Sequence, residues 1–339
     1  MDAGSRVRQR TARIRYRPRW VLIGMVVLAM LAALFGCFRP ASLPLRIGAN
    51  LWTGYETLYL ARDLGELKDK PIRLIDFPSG TEEVRAYRND EIDGAGLSID
   101  QVITLAATQG DIRIIAIMDF SNGGDVILAR PGLRTMGELK GKRIGVEATA
   151  LGAFFLGRAL ELNDMTPQDV TVVSLELGDH EAAYRAGRVD AVVTFGPART
   201  NLLKAGAIPL FDSSGIPGEI VDTLAASSEA IANNAENLQT LVEARFKALG
   251  YFQSNPADAA RRMARRTRVK PEELLEAFRL LEQPSLETNV ALLTQRDPSL
   301  VVTMTNLIRV MHDNGLITKT IDPASLLDAQ FVERALARR

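Results

Sequence analysis

Cysteine is nearly missing from this chain: one residue, Cys37, among 339. That excludes an intramolecular disulfide, a cysteine-rich metal site and a thiol nucleophile in the body of the protein. Histidine is almost as scarce. His180 and His312 stand far apart, and neither has a neighbour at metal-ligand spacing such as H-x-x-x-H, so both are expected on helix surfaces. No repeat of fixed period and no low-complexity segment interrupts the sequence. The formal charge is zero, but unevenly so. Residues 1–36 carry seven arginines against the single acid Asp2, leaving 34 basic and 40 acidic residues in the rest. A mildly acidic body carries no footprint for nucleic acid. Nothing in the composition asks for a cofactor or a metal, and catalysis is not expected.

What the chain does have begins at its N-terminus. The arginine-rich start runs into WVLIGMVVLAMLAALFGCF (20–38), an uncharged stretch. Basic residues stay on the cytoplasmic side, so the remainder is expected to be exported. Leu34-Phe35-Gly36-Cys37 resembles the lipobox of bacterial lipoproteins, with Phe35 where a small residue is usual. The resemblance implies that Cys37 becomes the lipidated first residue of the mature chain. An uncleaved membrane anchor and plain secretion are the alternatives; the first two outcomes tether the body to the outer face of a membrane.

After the spacer PASLP, short apolar runs alternate with helical patterns. Strands are expected at 45–51, 72–77, 94–97, 112–118 and 125–129, with helices over 55–64, 82–90 and 99–109. A second pass follows, with strands at 143–147, 170–175, 191–195 and 208–210 and helices over 152–162 and 180–186. This β-α-β-α order implies parallel strands. From residue 229 the pattern reads as entirely helical, punctuated by Pro256, Pro271, Pro284, Pro298 and Pro323, several of them at helix starts. Two α/β units and a helical tail result.

In open parallel sheets, ligands bind beyond the carboxyl ends of the strands. Three such positions carry capping-box patterns: Thr53-Gly54-Tyr55-Glu56, Ser79-Gly80-Thr81-Glu82 and Ser98-Ile99-Asp100-Gln101. Each is read either as a simple cap or as part of a shared edge where helix N-termini offer N–H groups to an anion or polar group. Trp52, Tyr55, Phe120 and Phe195 would supply apolar walls. Among nearby acids, Glu56 reads as the partner of Thr53, and Asp125 as part of a solvated turn after Gly123-Gly124. Glu147 lies near the same edge. If Glu56 or Asp119 faced the cleft instead, the ligand would carry a cation, held against Trp52.

Several segments resemble the solute-binding proteins of bacterial ABC importers for nitrate, sulfonates and taurine, a group that includes thiamine-pyrimidine-precursor binders. They are IGANLWTGYETLYLARDLGEL (47–67), MGELKGKRIGVEATALGAFFLGRALE (136–161), TPQDVTVVSLELGDHEAAYRAGRVDAVVTFGPA (166–198) and FDSSGIPGEIVDTLAASSEAI (211–231). The resemblance implies a two-lobed type II periplasmic-binding fold, joined by two crossover strands and closing over a ligand. A leader at 1–36 and a tether at 37–44 precede a first lobe at 45–127 plus 224–339 and a second lobe at 128–223. Ligand contacts are implied at Trp52, Thr53, Gly54, Tyr55, Ser79, Gly80, Thr81, Leu97, Ser98, Thr149, Ala150 and Phe195, with Glu56 and Asp119 as candidates beside them. Phe195 stands where the family commonly has Trp, and Glu56 where many anion binders have no acid. A monomer serving an ABC permease is the expected partner arrangement; the alternative is a subunit presenting its ligand to a membrane sensor kinase or cyclase.

Overall fold

The computed structural model describes residues 44–313 and 315–339. The leader and Cys37 lie outside the described residues. Strand β1 (Leu45–Ala49) turns Leu45, Ile47 and Ala49 into the core. It is followed by α1 (Glu56–Asp63), β2 (Ile72–Asp76), α2 (Gly80–Arg88), β3 (Gly94–Ser98), α3 (Ile99–Thr108) and β4 (Arg113–Ser121). In β4, residues 114–119 are buried without alternation, the mark of a strand covered on both faces.

The chain then crosses to a second sheet. This holds β5 (Val126–Ala129), β6 (Arg143–Glu147), α4 (Ala150–Glu161), β7 (Thr171–Leu175), α5 (His180–Arg185), β8 (Ala191–Thr194), α6 (Gly196–Lys204) and β9 (Ile208–Asp212). It returns through β10 (Val221–Ala226). The tail follows as α7 (Ser228–Asn233), α8 (Ala235–Ser254), α9 (Pro256–Thr267), α10 (Pro271–Phe278), β11 (Leu281–Glu282), α11 (Leu286–Leu293), α12 (Ser299–Asp313) and α13 (Gln330–Ala337).

The strand orders are β11-β4-β10-β3-β1-β2 and β7-β6-β8-β5-β9. Both sheets are mixed rather than parallel throughout. β1 runs parallel to β2 and β3, and β6 parallel to β7 and β8. β10 lies antiparallel between β3 and β4, and β5 antiparallel between β8 and β9. The reversal follows from the crossings. A strand that has just changed sheets enters its new sheet from the opposite end. Both sheets belong to one compact unit, Pro44–Arg339.

Several expectations need correction. Val126 and Ile127, assigned from sequence to the first lobe, pair in the second sheet, and Val221–Thr223 pair in the first. The tail is not entirely helical, because Leu281–Glu282 pairs with β4. His180 is no surface residue. It is fully buried with Nδ1 3.1 Å from the Thr194 hydroxyl, and burial lowers its pKa to about 4.

Candidate functional site

The turn after β1 builds one wall. Asn50 Oδ1 accepts from the Trp52 amide (2.8 Å), while its side-chain amide donates to Glu83 Oε2 (3.0 Å). Trp52 then leads into a single 3-10 turn, Thr53–Tyr55, before α1 begins. The Trp52 indole N–H donates to the Asp119 carboxylate at 3.1 and 3.3 Å. Tyr55 donates its hydroxyl to Asp222 Oδ1 at 2.6 Å. Gly54 permits this arrangement: a Cβ there would lie 1.6 Å from Asp119 Oδ2. The Tyr55 ring likewise covers Gly96, where a Cβ would meet it at 2.8 Å.

The capping box expected at Thr53 does not form. Position 52, not 53, precedes the turn, and Glu56 points away from the cleft. Glu56 is wholly buried and pairs with Arg266, whose Nε also binds Asp76 (2.9 Å) and whose guanidinium lies 3.7 Å from the Tyr59 ring centroid. Burial holds the Glu56 pKa up at about 7 even beside that cation. Arg266 also donates to the Asn50 carbonyl at 3.2 Å, so this network fixes the turn from behind rather than touching a ligand.

Ser79 does cap α2, accepting from the Glu82 amide (3.3 Å). Gln101 Oε1 accepts from the Ser98 amide (3.1 Å) at the start of α3. Across the gap, Thr149 caps α4 by accepting from Gly152 (3.1 Å). Beside the crevice, three contacts bridge the lobes, and Lys204 on α6 pairs with Glu273 on α10 farther out. Asp100 Oδ2 accepts from the Leu151 amide (2.8 Å), Thr81 donates to Glu147 Oε1 (3.4 Å), and Phe195 meets Trp52 edge-on at 5.5 Å. The α4 amides of Leu151 and Gly152 are therefore already bonded, to Asp100 and Thr149, and are not offered to an anion.

Between these walls lies a crevice with about 30 Å³ of free space. Of the residues anticipated from sequence, Trp52, Tyr55, Gly80, Ser98, Thr149 and Phe195 line it. Thr53, Gly54, Glu56, Ser79, Thr81, Leu97, Asp119 and Ala150 do not. Thr81 and Ala150 sit just beside it, Asp119 lies behind Trp52, and Leu97 is spent in the sheet, its carbonyl accepting from Thr223 (2.8 Å). Asn50, Gln101, Leu151 and Asp222 complete the lining without having been anticipated as ligand contacts, as do Asp125 and Glu147.

Asp125 is the largest departure. Expected in a solvated turn, it is 3% exposed and faces the crevice. Burial is the main force on all three lining carboxyls. It raises Asp125 to about 6 and Glu147 to about 7, the latter helped by repulsion from Glu176. It raises Asp222 well above the carboxylate range, with repulsion from Asp119 next in weight. No lysine or arginine lines the crevice. Among the described residues, no group of three or more acidic, histidine or cysteine side chains is placed to hold a metal ion.

This arrangement can be set beside known proteins. A binding protein of Brucella abortus (strain 2308) is 24% identical over 226 residues, covering 63% of this chain and 69% of its own. The alkanesulfonate-binding protein SsuA from Xanthomonas axonopodis pv. citri, solved with MOPS bound, superposes with a TM-score of 0.71 at 20% identity, covering 85% of this chain and 98% of SsuA. The desulfurization enzyme DszB has the same fold, with a TM-score of 0.67 at 16% identity over 87% of this chain and 99% of DszB. The two-lobed architecture is thus that of SsuA-type periplasmic binding proteins. The model of the NMT1-like family matches residues 39–267, most of the chain, and the protein belongs to that family.

Proposed function

We propose that this protein is the solute-binding component of an ABC importer, working outside the cytoplasm and tethered there through Cys37. In this reading it captures a small organic solute between its lobes and releases it unchanged to a permease. The observation that carries the reading is the crevice itself. Its lining comes from both sheets, and only residues 122–125 and 213–220 connect them in sequence. Two bodies joined by two crossings can hinge, and a ligand bridging them shifts the population towards the closed form.

In this reading the described state is the closed one. Its 30 Å³ of free space suits a water or two, not an organic molecule, so entry requires the lobes to part. The Asp100–Leu151 and Thr81–Glu147 bonds and the Trp52–Phe195 contact then re-form around, or are replaced by, the guest. The lining offers carboxyls, hydroxyls, amides and aromatic rings, without a cysteine or histidine, which supports holding rather than turnover.

The test is a thermal-shift screen across amines, sulfonates and nitrate, followed by small-angle X-ray scattering on any hit. A binder is expected to raise the melting temperature and reduce the radius of gyration. Stabilisation without compaction would remove lobe closure, and silence across the whole screen would remove the reading.

A further inference from the structure

Three carboxyl side chains border the crevice, one from each crossing strand region and one from the second lobe: Asp125 just before β5, Asp222 on β10 and Glu147 at the end of β6. Two of them already have partners within the protein. Asp222 accepts from Tyr55 and Glu147 from Thr81. Asp125 differs at one oxygen: the Ser121 hydroxyl serves its carboxyl, but Oδ2 is buried and has no hydrogen-bond partner. A buried polar atom left unsatisfied costs of the order of a lost hydrogen bond or more, and a buried charge costs more still. The guanidinium acting on it, that of Arg199, does so only through space, and its own Nε is likewise unpartnered.

Resting on the solute-binding reading above, we infer that the ligand is a small organic cation bearing N–H donors, such as a protonated amine or an amidinium, and that Asp125 Oδ2 is its principal acceptor. Once the lobes part, the lining matches the chemistry of that guest. An N–H of the cation would satisfy Asp125, and Glu147 and Asp222 stand as further acceptors. The Trp52, Tyr55 and Phe195 rings give its charge an aromatic enclosure. A sulfonate or nitrate would instead meet buried carboxyls, with two α4 amides already occupied. A bare metal ion does not fit, because the acids do not converge on one point.

The experiment is calorimetric titration of the full mature protein with a matched set: benzylamine, benzamidine, benzyl alcohol, benzenesulfonate and benzyltrimethylammonium. Benzylamine or benzamidine is expected to bind at least about 10-fold more tightly than the neutral alcohol, the scale of a charge-assisted hydrogen bond. The quaternary ion, lacking N–H groups, should fall below both. Asp125→Asn should weaken the amine roughly 10- to 100-fold while the melting temperature of the free protein holds or rises. Glu147→Gln gives a second, smaller loss should the first variant misfold. If benzenesulfonate binds and the amines do not, the inference fails and the solute-binding reading stands. If the quaternary ion matches benzylamine, or Asp125→Asn leaves amine affinity unchanged, the role of Asp125 is overturned. If none of the five binds and the wider screen is silent, both fall.

Discussion

Gly54 shows how a single hydrogen atom in place of a side chain can organise a site. With Cα bare, the backbone comes close enough for Asp119 to sit beneath it and take the Trp52 indole N–H. A methyl group would overlap Asp119 Oδ2 at 1.6 Å, and Asp119 is fully buried with no room to retreat. Gly54→Ala is therefore expected to break the Trp52–Asp119 bond and destabilise the protein by about 1–3 kcal/mol. Urea unfolding measures the loss, and Trp52 fluorescence reports its local origin; an unchanged midpoint would contradict the packing described. Glu56 makes the complementary point. Placed four residues after Trp52, it looks like a cleft acid in sequence, yet Arg266, 210 positions away, draws it to the other side of the turn. No local pattern announces so distant a partner.

At the scale of elements, the regular alternation of strand and helix was legible up to residue 195, because apolar runs and caps there follow their ordinary chemistry. Pro256 and Pro271 do open helices, as their fixed φ suits a first turn. Three elements escaped: the short β11, helix α6 and strand β10. Helix α6 opens with Gly196-Pro197, a pair that reads as a turn; Gly196 takes φ +52° and lets the chain leave β8 directly into a proline-started helix. Strand β10 hides Asp222 and Thr223 within its buried run; Asp222 borders the crevice, while the Thr223 hydroxyl donates to the Leu97 carbonyl. An aspartate inside an otherwise buried strand was the available signal for a site residue. The capped helices were also legible, but not the use of their amides, since Asp100 reaches α4 only in three dimensions. Asp100→Ala removes that bridge between α3 and α4. It is expected to expand the ligand-free protein in small-angle scattering and to weaken ligand binding roughly 10-fold. Identical scattering profiles would show that the bond does not hold the lobes together.

For the molecule as a whole, the buried acids set an unusual response to pH. Glu56 and Glu147 have folded pKa values of about 7 and Asp125 about 6, while Asp119 and Asp222 are raised by burial as well. Between roughly pH 4 and 7 the folded state thus binds more protons than the unfolded chain, and stability falls as pH rises. His180, held neutral by burial, acts in the opposite sense, costing stability as pH drops from 6.5 towards 4. Five carboxyls outweigh one imidazole in the upper part of that window. The ligand-free protein is accordingly expected to melt at a higher temperature at pH 5.5 than at pH 8, measured by calorimetry in buffers of equal ionic strength. A melting temperature that climbs from pH 5.5 to 8 would mean these acids are not desolvated as described.

The two crossings between the sheets do not run separately. Ser121 and Ser213 share a hydrogen bond of 2.7 Å, Ser213 Oγ accepts from the Gly123 amide (2.7 Å), Ser121 Oγ from that of Asp125 (3.2 Å), and the Ser213 amide donates to the Asp125 carbonyl (3.0 Å). Asp125 thus belongs to the knot that ties one crossing to the other. Whatever engages its carboxylate presses on the pivot of the jaws and not merely on their teeth, so filling the gap and setting the angle between the halves become a single mechanical event.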